Sequence, residues 1–62
     1  MTNFWHCIHR ATKLLDVASD GTVFIIDREE WDALWDEIRR LGYYDLIRPI
    51  VEAKADAMRG YP

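Results

Sequence analysis

Residues 14–27 read LLDVASDGTVFIID, and the fold turns on how this stretch is interpreted. "TVFII", residues 22–26, is β-branched and aromatic, the composition of a strand. Ser19, Asp20 and Gly21 before it are turn formers, Gly21 because it takes positive φ without a Cβ clash. A strand also needs a neighbour, since its backbone groups otherwise go unpaired. That neighbour is either "LLDVAS" folded back around Asp20-Gly21 as a hairpin, or a second chain paired across a two-fold. In the hairpin reading Leu15, Val17, Phe24 and Ile26 share one face, and the helix before them ends near Lys13.

On the N-terminal side, Phe4, Ile8, Ala11, Leu15 and Ala18 recur at steps of four and three, widened by Cys7 and Leu14. This spacing predicts an amphipathic helix over 3–17, capped by Thr2 or Asn3, with His6, His9, Arg10 and Lys13 on its opposite face. On the C-terminal side, Asp27 is a good N-cap for a helix over 28–41. Trp31, Leu34, Trp35, Ile38 and Leu41 form its apolar stripe, and Gly42 ends it. Residues 44–59 form a third helix, capped by Asp45 or starting later at Pro49. Leu46, Ile50, Ala53 and Ala57 make one stripe on it, widened by Tyr43, Ile47, Val51 and Met58. Gly60 ends this helix, and Tyr61-Pro62 is read as a frayed tail.

The expected architecture is α+β, mainly α: one very small domain over 1–62, in the order helix, strand or β-hairpin, helix, helix. The expected core is Phe4, Ile8, Leu15, Phe24, Ile26, Trp31, Leu34, Trp35, Ile38, Leu46, Ile50 and Ala53. The chain has 62 residues, half of them hydrophobic, with eight aromatic side chains. That is a folding composition, but a chain of this length buries only about 60% of its unfolded surface and is marginal in stability. A single cysteine, Cys7, rules out an internal disulfide and fits a reducing compartment. No apolar run approaches the roughly 18 residues that span a bilayer, and "MTNFWHCIHR" lacks the form of a signal peptide. The expected location is the cytoplasm.

Charge is unevenly placed. The net charge is −3, yet residues 27–37 set one arginine against six acids, a local −5. Acids in a first helical turn complement the macrodipole, which accounts for Asp27, Glu29 and Glu30. Asp36 and Glu37 lie beyond that turn, and Asp32 and Asp36 are a like-charge i,i+4 pair costing about a few tenths of a kcal/mol. Ordinary helix chemistry leaves these least explained.

The residues offer little for catalysis. Cys7 and His9 diverge on a helix, Ser19 has no histidine near it in sequence, and paired carboxylates do acid–base work only inside a cleft. His6 and His9 make an incomplete metal site with no standard third ligand. The reading is a non-enzyme with no cofactor and no metal. The basic face of His6, His9, Arg10 and Lys13 offers a second class, a small DNA-binding regulator, although the third helix carries Glu52 and Asp56 where a recognition helix has Arg, Asn or Gln. An oligomeric scaffold is a third class, and the chain is read as monomer or homodimer.

Short length, net acidity and the acids of 27–37 resemble the small acidic inhibitors carried by phages, of the anti-CRISPR kind. The likeness is one of composition, carried by no motif. It implies an interaction protein that blocks a basic, nucleic-acid-binding protein or nucleoprotein complex of a bacterial host, as a DNA mimic. Glu29, Glu30, Asp32, Asp36 and Glu37 would then face the partner's Lys and Arg, with Trp5 or Tyr44 at the rim. Carboxylates four residues apart rise by about 6 Å, near the spacing of alternate phosphates at about 3.4 Å each.

Overall fold

The hairpin forms within the chain. A computed structural model describes residues 3–60, so Thr2 as a cap and Tyr61-Pro62 as a tail lie outside the described residues. Strand β1, Leu15–Val17, pairs antiparallel with β2, Val23–Ile25, in the register Leu15↔Ile25, Asp16↔Phe24 and Val17↔Val23. Ala18 N–H donates to the Thr22 carbonyl at 2.8 Å, so the loop proper is three residues, Ser19-Asp20-Gly21. Gly21 closes it at φ +89°, as three-residue hairpin loops require of their last position. The Thr22 N–H donates to Asp20 Oδ1 at 2.9 Å, and this bond holds the Asp20 carboxyl below its ordinary range.

That loop length corrects the expected face. A two-residue turn would pair Leu15 with Ile26 and Val17 with Phe24. The third loop residue moves the register by one, which turns every β2 side chain over. Val23 and Ile25 face inward with Leu15 and Val17, while Phe24 and Ile26 stand 44% and 56% exposed. The two residues expected in the core are therefore on the outer face.

Helix α1, Asn3–Lys13, ends where the chain enters β1 and buries Cys7, Ile8 and Ala11. The helix expected to reach residue 17 stops four residues earlier, and Asn3 lies within it. Helix α2, Arg28–Arg40, starts on Asp27, whose Oδ1 accepts the Glu30 N–H at 3.1 Å. It ends in a Schellman motif: Gly42 at φ +80° donates to Arg39 O, and Tyr43 N–H to Ile38 O. α2 buries Leu34, Trp35 and Ile38; Leu41, the last member of its expected stripe, is exposed.

Helix α3, Tyr44–Met58, begins one residue before Asp45 and contains Pro49 as its sixth residue. Its N-cap is Tyr43, with no side-chain bond, and Asp45 sits in the first turn instead of capping. The packed stripe is Ile47 and Val51, with Tyr44, Ala55 and Met58 half-buried beside it. Leu46 is 58% exposed and Ala53 is exposed. These two expected core residues lie one residue off the packed face, because α3 is apolar over more than half its circumference and α1 and α2 cover only one side.

The molecule is thus mainly α with one hairpin, in the order α1–β1–β2–α2–α3. One core of Cys7, Ile8, Ala11, Leu15, Leu34, Trp35, Ile38, Ile47 and Val51 draws on all three helices and β1. Phe4, Trp31 and Ile50, expected inside, are half-buried against it. No helix among the described residues is long and apolar enough to cross a membrane. Leu34 is fully buried at the centre, so Leu34→Ala costs about 2–5 kcal/mol, whereas exposed Leu46→Ala stays within about 0.5 kcal/mol. Urea denaturation of the two variants checks the contrast.

Candidate binding surface on the second helix

α2 divides the acids among three directions. With Leu34, Trp35 and Ile38 facing inward, the 100° step per residue puts Glu30 and Glu37 on the flank toward α1. There they meet Arg10, whose Nη1 lies 3.5 Å from Glu37 Oε1 and whose Nη2 lies 3.9 Å from Glu30 Oε2. One guanidinium from α1 therefore serves two carboxylates a heptad apart on α2. Two of the acids expected to face a partner thus meet a cation of their own chain, while remaining about half exposed. The basic face of α1 gives up its central charge to the same contact, leaving His6, His9 and Lys13 exposed around it.

Cys7 lies under this cluster, 3% exposed. Burial pushes its thiol pKa up, the nearby Glu37 carboxylate pushes it further, and Arg10 partly opposes both.

The flank toward α3 is a groove of about 650 Å³, within the roughly 300–1,000 Å³ typical of ligand sites but open along its length. Trp31, Trp35 and Tyr44 line it in an edge-to-face row, with centroids 5.6 Å apart for Trp31–Trp35 and 5.7 Å for Trp35–Tyr44. The Arg39 guanidinium lies 5.1 Å from the Tyr44 ring centroid and is in no ion pair among the described residues. The indole Nε1 of Trp35 is buried with no hydrogen-bond partner among the described residues.

Asp32 and Asp36 also line this groove. Each has an arginine one turn away on α2: Arg28 Nε at 3.4 Å from Asp32, and Arg40 Nε at 3.9 Å from Asp36. All four side chains are about two-thirds exposed or more, so each pair contributes about 0.3–0.5 kcal/mol at most and is screened by salt. Arg48 and Glu52 repeat the pattern on the α3 wall at 3.0 Å.

The structure therefore brings Asp32, Asp36 and Tyr44 together at one groove. Glu29 stands on the outward face of α2, exposed and in no ion pair among the described residues. Trp5 is elsewhere: 61% exposed on α1, edge-on to Phe4 at 5.1 Å, beside His9 and Lys54. Tyr43, the neighbour of Tyr44, packs edge-on against Phe4 at 5.3 Å. Trp35 belongs to the core as its stripe predicts and Trp31 is half-buried beside it, while Arg39 and Arg48, legible only as a helix-end cation and an i,i+4 partner of Glu52, also line the groove. The signal for the two arginines is the four-residue spacing Trp31–Trp35–Arg39 on one helix and Tyr44–Arg48 on the other.

Arg10→Met removes a half-exposed contact. The double-mutant cycle with Glu37→Gln is expected to return a coupling of about 0.2–1 kcal/mol, lower in high salt, by urea denaturation. Cys7 supplies a pH signature. Above the ordinary thiol value of 9.0 the unfolded chain loses the Cys7 proton while the folded chain keeps it, so stability falls as pH rises through that range. Cys7→Ala flattens that part of the pH profile, measured by thermal melts between about pH 7 and pH 10. Compared with known proteins, the chain matches no family model, no curated protein and no solved structure.

Proposed function

We propose that this chain is a non-enzymatic interaction module that holds a basic segment of a partner protein against α2. The observation that carries the reading is the placement of Asp32 and Asp36 along a groove lined by Trp31, Trp35 and Tyr44. A partner's Arg or Lys entering there gains a carboxylate and an aromatic face together, about 0.5–2 kcal/mol for the cation–π part alone. Entry displaces Arg28 and Arg40 from Asp32 and Asp36, both exposed pairs that exchange readily, and Arg39 from the Tyr44 ring.

The partner is a nucleic-acid-binding protein of a bacterial host, and binding blocks it within the host cytoplasm. Glu29, Asp32 and Asp36 stand in for phosphates, at rises of about 4.5 and 6 Å along the helix. The anti-CRISPR likeness of composition agrees with this reading. The DNA-binding regulator is the weaker alternative, because Arg10 is turned onto Glu30 and Glu37 and not outward.

The test is a tagged pull-down from bacterial lysate at low and high salt, with Asp32→Lys plus Asp36→Lys as control. Capture of a basic nucleic-acid-binding protein, released by salt and reduced at least about tenfold by the double variant, supports the proposal. The variant's melting temperature should hold near that of the parent, since both positions are exposed. Captured DNA, or a partner indifferent to the double variant, sinks it.

A further inference from the structure

We propose that the outer face of α3 is a self-association surface, on which α3 of a second copy lies parallel about a two-fold axis. Leu46, Ile50, Ala53 and Ala57 recur at steps of four, three and four, the spacing of a coiled-coil seam. Leu46, Ala53 and Ala57 are exposed, and Ile50 is half-buried, one side against the core and the other in water. Pro49, Ile50, Ala53 and Ala57 line one shallow, mainly apolar depression there, with Lys54 at its edge. α3 thus carries two apolar stripes, and the fold uses the other, Ile47 and Val51.

Charge selects the occupant and its direction. Lys54 flanks the seam on one side and Asp56 on the other, by the 100° step per residue. A two-fold axis running along α3 lays the Lys54 side of each copy over the Asp56 side of the other, giving two symmetric opposite-charge contacts. An antiparallel pairing would lay Lys54 sides together and Asp56 sides together. Lys54 is in no ion pair among the described residues, and Asp56 is held only by exposed Arg59 at 2.8 Å. In seam terms Leu46 falls at a d position and Ile50 at the following a position, the pattern that favours two parallel strands. Trp5, 61% exposed, shares a depression with Lys54 and extends the contact past the helix. The seam from Leu46 to Ala57 is only about 17 Å long, so the association is weak and concentration-dependent. The acids of α2 lie on another side of the molecule, so this surface stands or falls independently of the groove.

Sedimentation equilibrium of the full chain, from about 10 µM to about 1 mM, is expected to show mass rising toward twice that of the monomer. Leu46→Glu should weaken this at least about tenfold without lowering the melting temperature, because the side chain is already in water. Lys54→Asp and Asp56→Lys should each weaken self-association, while an equimolar mixture of the two variants should associate more tightly than either alone. A monomer throughout the range overturns the proposal. So does a dimer indifferent to Leu46→Glu, which would place the interface at another surface such as the hairpin edge. A mixture no tighter than its components overturns the parallel geometry.

Discussion

Everything in this chain hangs on the inner stripe of α2. Leu34 and Ile38 are fully buried, Trp35 nearly so, and α1 and α3 meet across them through Ile8, Ala11, Ile47 and Val51. Among the described residues the core is nine side chains, ringed by partly buried ones. With no disulfide available, each of these side chains supplies a large share of a stability that chains of this length hold only narrowly. The surfaces on either side of α2 exist because that stripe is narrow. Positions flanking it are only partly covered, and there the chain places charge toward α1 and aromatic rings toward α3.

Those two flanks use charge differently. Arg10 draws Glu30 and Glu37 into a contact between helices distant in sequence, so these acids help to set how α1 lies on α2. Asp32 and Asp36 have only local arginines a turn away. A run that reads as one block of −5 is therefore divided: Asp27 caps, Glu30 and Glu37 meet Arg10 of α1, Asp32 and Asp36 have local arginines, and Glu29 stands alone.

How much of this was legible depended on where the deciding information lies. α2 was legible in its cap, inner stripe and terminating glycine, which are local, and only Leu41 at its end falls outside the packed stripe. The hairpin was legible in Ser19-Asp20-Gly21, but its register rested on whether the loop holds two residues or three, and one residue inverts Phe24 and Ile26. The packed side of α3 was not legible. Leu46–Ile50–Ala53–Ala57 and Ile47–Val51–Met58 are equally regular, and only the positions of α1 and α2 choose between them. The Arg10 contact spans 20 and 27 residues, beyond any spacing rule. The groove needs two helices to exist, so its residues showed individually as a stripe aromatic or a surface arginine and never as a site.

Pro49 carries a consequence for how the groove behaves in time. Its ring nitrogen bears no proton, so the Asp45 carbonyl loses its i+4 donor, and the helix start at Tyr43 has no side-chain bond to compensate. At the entry to α3 the Leu46 and Ile47 N–H groups donate to the Tyr43 carbonyl, at 3.0 and 2.8 Å. In native-state hydrogen exchange such a turn belongs to the low-energy end of local opening, while amides around Leu34 and Ile38 exchange only with global unfolding. Tyr44 and Arg48 ride on that turn. The α3 wall of the groove therefore opens at lower cost than the α2 wall, and because Ile47 in the same turn is fully buried, that opening is felt by the core.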